Sequence, residues 1–328
     1  MKNKKICVIG SLNIDLTVSM DRFHQPGETV TGFDFNTFTG GKGGNQAVAA
    51  ARLGGEVYMV GCVGEDAHGD LYLSALKKKG INTDFVEKTN EVSTGVALIE
   101  VDQAGENRIV VVPGANHAVT TDLVSRSLDA ITNSGVMLLQ LETPIESVTH
   151  AAAIGKRNGL KVILDPAPAR PLSDALLYLC DYITPNETEL ATLTGLPTDT
   201  EEDAIFACSK LIKRGVKAVL HKRGAKGSML VTKDGARMFP GFRVDAVDTT
   251  AAGDTFNAGF AVGLAMDLPV EDAVRLANAA GALSTTGLGA QAAMPDLYEA
   301  CALVENPNAA LTRVTAADMI EKFNQRYE

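Results

Sequence analysis

Short runs of apolar and β-branched residues recur along the chain, separated by longer stretches whose apolar positions repeat with the spacing of a helix. The strand-like runs are "ICVIG", "VYMVGCVG", "VMLLQL", "KVILD", "YIT" and "AVLHK". Strands that are apolar on both faces need cover on both faces, and the helices between them supply it. The pattern therefore predicts an α/β fold with a central, mostly parallel sheet flanked by helices. Two regions break the rhythm: Leu16 to Phe38 and Gly95 to Val112 alternate as strands with no helix between them. Within the second, "VALIEVDQAGENRIVVV" reads as a hairpin turning at Gln103 to Asn107. Both regions follow strands of the main sheet, so they would project from its carboxyl edge, where open α/β sheets bind ligands. A small antiparallel β lid is expected from them, inserted at about 16–38 and 95–112 into one domain of residues 1–328.

Three stretches carry candidate chemistry. In "VDTTAAGDTFNAGF", Phe256, Phe260 and Leu264 fall on one helical face, which puts a helix start near "AAGD". Small residues there leave the first backbone N–H groups open, and with the helix dipole these form an anion site suited to phosphate. Asp254 stands at its mouth. Taken alone, it is equally a favourable first-turn acid with Thr250 as the cap. In "TGGKGGNQAVAAARLGG", four glycines surround Lys42 just before a helix, as where a backbone is closely approached. This is not a Walker A loop, since Asn36 and Gly43 occupy its Gly and Ser/Thr positions. A packed Gly-rich turn is the competing reading. In "GSLNIDL", Asn13 and Asp15 point to one side of an extended segment and offer an amide and a carboxylate of the kind that binds sugar hydroxyls. A solvated loop end is the plainer alternative.

Composition narrows the choices. The chain of 328 residues carries 40 acidic and 30 basic residues, a net charge of -10, and has no basic block beyond "MKNKK". A nucleic-acid or anionic-membrane surface is therefore not expected. The five cysteines are scattered without metal spacing and read as reduced core residues. No apolar run reaches the ~20 residues that cross a bilayer, and the start shows no signal peptide, so the expected location is cytoplasmic. The five histidines have no metal-ligand spacing. No GxGxxG follows the first strand, which disfavours a dinucleotide-dependent oxidoreductase.

Together, "GGKGGNQAVAA" and "DTTAAGDTF" resemble the two signatures of the ribokinase-like (PfkB-type) carbohydrate kinases, in the right order. Intermediate segments resemble the ribose-phosphorylating members: "PGETVTG", "STGVALI", "PGAN", "LLQLETPIESV", "DPAPAR", "ITPNETE", "PGFRV" and "GAQ". The resemblance runs from Ile6 to about Pro295. It implies a three-layer kinase fold and transfer of the γ-phosphoryl group of ATP to the 5-hydroxyl of D-ribose. Deoxyribose, another sugar or a nucleoside is the alternative acceptor, and a non-catalytic sugar-binding protein the alternative class.

By the same resemblance, Asp254 matches the catalytic base, and Ala251, Ala252 and Gly253 the anion hole. Asn13, Asp15, Gly41, Lys42, Asn45 and Glu142 match the sugar-gripping positions. Asn186 and Glu189 in "PNETE" are expected to organise Mg2+ and phosphate through water. Lys222, Gly224 and Gly227 match positions along the nucleotide phosphates and ribose, and Asn278 lies near the adenine. Asp248, Thr250, Ser284, Gly287, Gly289 and Ala293 match a potassium site, built mostly from carbonyls, that activates without touching substrate. A turn-capping role for Asp248 is the competing reading. Three positions depart from the family pattern: Gly44 for Ala, Asp165 for Asn and Asn278 for His. The apolar lid strands, with their open edges, imply a homodimer joined through the lids. The tail after Pro295 reads as helical, interrupted at "ENPN".

Overall fold

The computed structural model describes residues 4–306. β1 (Lys5–Ile9) is followed by β2 (Asn13–Met20), β3 (Gly32–Gly40), α1 (Lys42–Arg52), β4 (Glu56–Gly64), α2 (Ala67–Lys78) and β5 (Asn82–Thr89). β6 (Gly95–Val101) and β7 (Asn107–Val112) lead through a short 3-10 turn to α3 (Thr121–Arg126) and α4 (Leu128–Thr132). Strand and helix then alternate through β8 (Val136–Leu139), α5 (Ile145–Arg157), β9 (Lys161–Leu164), α6 (Asp174–Leu179) and β10 (Tyr182–Ile183). α7 (Glu187–Thr194), α8 (Glu201–Lys213), β11 (Ala218–Lys222), β12 (Ser228–Thr232) and β13 (Gly235–Phe239) follow. The described chain closes with α9 (Ala252–Ala265), α10 (Val270–Ser284) and α11 (Leu297–Glu305). The expected interruption at "ENPN" and the tail beyond it fall largely outside the described residues.

The main sheet has nine strands in the order β13-β12-β11-β10-β9-β8-β1-β4-β5. It is parallel from β11 to β5, and β12 and β13 close it as an antiparallel edge. Each buried strand divides its side chains between two cores. On β1, Ile6 and Val8 pack into the cluster that includes α1, α9 and α10, and Cys7 and Ile9 into the cluster on the α5 to α8 face. This double cover is why the strands read as unbroken apolar runs. Four cysteines are buried and free as expected, whereas Cys301 on α11 is exposed.

The lid forms a separate sheet in the order β3-β2-β6-β7 and begins at Asn13 rather than Leu16. Its two outer pairings are antiparallel. The central pairing, β2 with β6, is parallel, with Asn13 opposite Gly95. The cause is topological. β2 follows β1 and β6 follows β5, and those two strands run in the same direction, so both excursions leave the sheet edge in the same sense. The β6–β7 turn closes on Asp102, whose side chain accepts from the N–H groups of Ala104 and Glu106, while Gly105 takes φ 78.

Candidate active site

The chemistry collects at the carboxyl edge of the main sheet, below the lid. Two helices start there, and each start is shaped by small residues. α1 is capped by Gly41 at φ 81, a conformation that disfavours any side chain, and a Cβ on Gly43 would lie 2.6 Å from the Gly10 carbonyl carbon. The glycines thus let α1 open directly against the β1–β2 connection. α9 begins after Ala251, which holds a left-handed backbone at φ 59, a conformation that costs an alanine about 1–2 kcal/mol. Thr250 makes no side-chain cap; Ala251 is the N-cap and offers no side-chain bond. The N–H of Ala252 turns back to the Thr249 carbonyl at 3.2 Å, while of the other expected anion-hole residues Ala251 and Gly253, like Asp254, donate no such backbone bond. A Cβ on Gly253 would stand 3.4 Å from Lys222 Nζ, which places that ammonium beside the same mouth.

Asp254 is buried, 6% exposed, and joined to α1 by two bonds: Asn45 Nδ2 donates to Oδ2 and Gln46 Nε2 to Oδ1, each at 3.1 Å. Burial pushes its carboxyl up, Lys42 pulls it back, Asp165 repels it, and the two amide bonds lower it; the balance is about 6. The group is therefore an ionised base at neutral pH with appreciable proton affinity. Lys222 Nζ donates to Asp165 at 2.9 Å and lies 3.9 Å from Glu189. Burial alone would lower the Lys42 ammonium, but the summed fields of Asp254, Asp165, Glu142 and Glu189 raise it above the ordinary lysine value.

Next to these groups, Glu142 accepts from Ser11 Oγ and, at 3.0 Å, from the Lys42 N–H. Asn116 donates to Asn13 Oδ1 at 2.6 Å and accepts from the Leu12 N–H, so the Nδ2 donors of Asn13 are the part a ligand can use. Asp15 lies against Gly40, where a Cβ would meet its Oδ2 at 2.1 Å. Burial, with Glu142 adding to it, pushes Asp15 up to about 7. Asn45 Oδ1 accepts from Gln291, whose own Oε1 accepts from Thr39, tying α1, the end of the chain's core and the lid strand β3 together. All six expected sugar positions thus fall around one cleft edge.

On the nucleotide side, Asn186 and Glu189 form a reciprocal capping box at the start of α7. Among the described residues no group of three or more His, Cys, Asp and Glu could hold a metal ion, and Asn186 and Glu189 are the oxygen donors at the position where Mg2+ is expected through water. Burial leads the upward shift of the Glu189 carboxyl, with Lys222 opposing it. Gly224 and Gly227 take positive φ of 54 and 90 in the turn after β11. A Cβ on Gly227 would lie 2.1 Å from the Phe239 carbonyl, the group to which Asn278 donates at 3.4 Å. These residues therefore share one corner. Asp248 accepts from the Thr250 N–H at 2.8 Å and the Gly289 N–H at 2.9 Å, so the turn-capping role is real. Burial opposes ionisation of its carboxyl, but the Thr250 side chain and then these two N–H bonds outweigh it and hold the group below the ordinary range. The Gly289 bond draws the 287–293 loop to Asp248, and a Cβ on Gly287 would lie 3.1 Å from that of Ala293. Asp248 and the loop it holds are where the monovalent cation is expected. Ser284 Oγ donates to the Gly281 carbonyl at 2.9 Å.

Several site residues were not among the sequence candidates: Ser11, Gln46, Asn116, Gln140 and Gln291. Ser11, Asn116 and Gln291 lie in the quoted segments "GSLNIDL", "PGAN" and "GAQ", and Gln46 and Gln140 stand out as amides inside otherwise apolar helix and strand patterns. Gly44 also gains a reason. A Cβ there would meet the Tyr72 hydroxyl at 1.9 Å, and that buried hydroxyl donates to the Gly40 carbonyl at the lid hinge. Glycine at 44 makes room for the tyrosine.

Known proteins resemble the chain over most of its length. Residues 3–297 match the pfkB family carbohydrate kinase model. The chain belongs to that family. It is 44% identical to a ribokinase of Haemophilus influenzae over 303 residues, covering 92% of this chain and 99% of the relative. It is 39% identical to a deoxyribokinase of Salmonella typhi, covering 90% and 96%. A structure of Arabidopsis thaliana ribokinase complexed with ribose and ATP superposes with a TM-score of 0.88 at 38% identity, covering 92% of this chain and 98% of the other. The fold is the ribokinase-like fold, and the chain is an ATP-dependent carbohydrate kinase.

Proposed function

We propose that the chain transfers the γ-phosphoryl group of ATP to the 5-hydroxyl of D-ribose, giving D-ribose 5-phosphate and ADP. The observation that carries this reading is Asp254, a buried carboxylate at the open mouth of α9 with the Lys222 ammonium beside it. A proton acceptor, free backbone donors and a cation converge where a phosphoryl group would pass. Asn13, Asp15, Gly41, Lys42, Asn45 and Glu142 hold the sugar and fix which hydroxyl faces the base. Asp254 takes the hydroxyl proton as the new oxygen–phosphorus bond forms and the bond to the β-phosphate bridging oxygen breaks. The N–H groups of Ala251 and Gly253, with that of Asp254, hold the charge on the moving phosphoryl; Ala252 joins them if its bond to Thr249 yields. Lys222 and Gly224 follow the phosphates, with Gly227 and Asn278 near the nucleoside. Mg2+, when held by Asn186 and Glu189 through water, screens the phosphate charge. K+, when held at the 248–293 loops, supplies rigidity to the anion hole.

One kinase domain with a lid is the organisation we infer. The lid exposes Phe33, Phe35, Ile109 and Val110, each more than half exposed, on strands with free edges, which supports a homodimer joined lid to lid. Four buried cysteines outside any disulfide accord with a cytoplasmic location. No helix among the described residues is long and apolar enough to cross a membrane. A deoxyribose kinase would use the same machinery. The decisive experiment is an ATP-dependent phosphorylation screen over pentoses, deoxypentoses, hexoses and nucleosides. D-ribose is expected to have the highest kcat/KM, and a clear preference for another acceptor would overturn the substrate assignment.

A further inference from the structure

Gln46 is fully buried on the second turn of α1 and touches no expected ligand position, yet its amide sits among the reacting groups. Its Nε2 donates to Asp254 Oδ1 at 3.1 Å and to Asp165 Oδ2 at 3.0 Å. Its Oε1 accepts from Gln140 Nε2 at 2.7 Å. The orientation is forced. Ionised carboxylates only accept, so the NH2 group must face Asp254 and Asp165, and the amide oxygen then needs a donor, which Gln140 supplies. Gln140 is fully buried just past β8, and its Oε1 sits where a Cβ on Gly10 would be, 1.9 Å away, so glycine at 10 admits it. Asp165 in turn accepts from Lys222 at 2.9 Å. One buried nitrogen thus links the base on α9 to the ammonium at the anion hole.

We propose that Gln46, with its amide orientation set by Gln140, is a positioning residue for phosphoryl transfer: it aims and steadies Asp254 while Asp165 steadies Lys222. This rests on Asp254 being the base. Asp165 repels the charge on Asp254, and the Lys42 ammonium and then the Gln46 donor offset that repulsion. Around Asp254 the other groups are the Lys42 ammonium and the Asn45 amide from α1 and Asp165 from the loop after β9; Lys222, Glu142 and Glu189 stand behind them. Without the Gln46 donor the Asp254 carboxyl rises further, so the acid side of the rate profile moves to higher pH.

The test is steady-state kinetics of full-length Gln46→Met, Gln140→Met and Gln46→Met with Asp165→Asn, from pH 5 to 9, with thermal unfolding as the folding check. For Gln46→Met, kcat is expected to fall about tenfold at pH 7, the worth of one hydrogen bond to a charged group. KM for sugar and ATP should stay within about twofold, and part of the loss should return at high pH. Adding Asp165→Asn should move the acid limb back down. Gln140→Met should shift it in the same direction by less, and it carries the test alone if Gln46→Met does not fold. A parent-like kcat and acid limb in the folded Gln46 variant, or in Gln140→Met where that stands alone, overturns the proposal, as does a pH-independent loss shared with KM. Asp254→Asn in parallel separates the outcomes: if it retains turnover, the base assignment fails, and if only the Gln variants are parent-like, the positioning role fails.

Discussion

Asp254→Asn should make the protein more stable at neutral pH, even as it removes the base. The folded state holds this carboxyl at about 6 against an ordinary 3.8, with burial as the main cause. A shift of about two pH units corresponds to about 3 kcal/mol. Because the folded form binds the proton more tightly than the unfolded form, stability falls as pH rises from about 4 to 6. The cost is complete above about 6 and absent below 3.8. Asparagine removes the charge but keeps only one acceptor for the two bonds from Asn45 and Gln46, a loss of about 1 kcal/mol. The expected net gain is about 2 kcal/mol at pH 8, changing to a small deficit near pH 4. Urea unfolding of both proteins at pH 4, 6 and 8, without nucleotide or sugar, reads this from the midpoints at unchanged m-value. A stability difference that does not vary with pH, or a variant weaker at pH 8, refutes the reasoning.

Asp15→Ala should raise KM for D-ribose by about tenfold or more, the scale of lost bonds to a charged group, with little change in kcat. Since burial and then Glu142 push Asp15 up to about 7, the parent KM should also fall as pH rises from 6 to 8, and initial-rate titrations with a flat KM would contradict this. At fixed ionic strength, potassium replacing a bulky organic cation should raise kcat several-fold, and Asp248→Ala should abolish the response; equal parent rates in both salts leave Asp248 as a turn residue only. Light scattering should give twice the chain mass for the parent and the single mass for Phe35→Asp on the exposed lid strand, whereas a monomeric parent removes the lid-to-lid dimer.

The parallel strands and the start of α9 were legible because burial on both faces and helical spacing are local patterns. The β2–β6 pairing was not, since a strand alternates apolar and polar residues equally well in parallel and antiparallel ladders. Side-chain chemistry could be proposed from the sequence where a motif is expected to face ligand, as at Asn13, Lys42 and Glu142. It was hidden where one buried group answers another far away in sequence. Asn45 reads as a sugar contact but also holds Asp254, and Gln46 and Gln140 read as helix and strand interior until the fold joins them. The left-handed backbone of Ala251, which spends the Ala252 N–H on Thr249, is set by tertiary packing that no local propensity announces. Gly44 looked like a departure from the family until Tyr72 was seen to occupy the space a methyl would fill.

The central claim is that Asp254 is the base of an ATP-dependent ribose kinase, and the most direct measurement is turnover of D-ribose with MgATP by the parent and by Asp254→Asn, with calorimetric binding of sugar and nucleotide to both. The parent should form ribose 5-phosphate and ADP in equal amounts. The variant should bind both substrates with nearly parental affinity and turn over at least ~10²-fold more slowly. Near-parental turnover in the variant, or no ribose phosphate from the parent, would contradict the account.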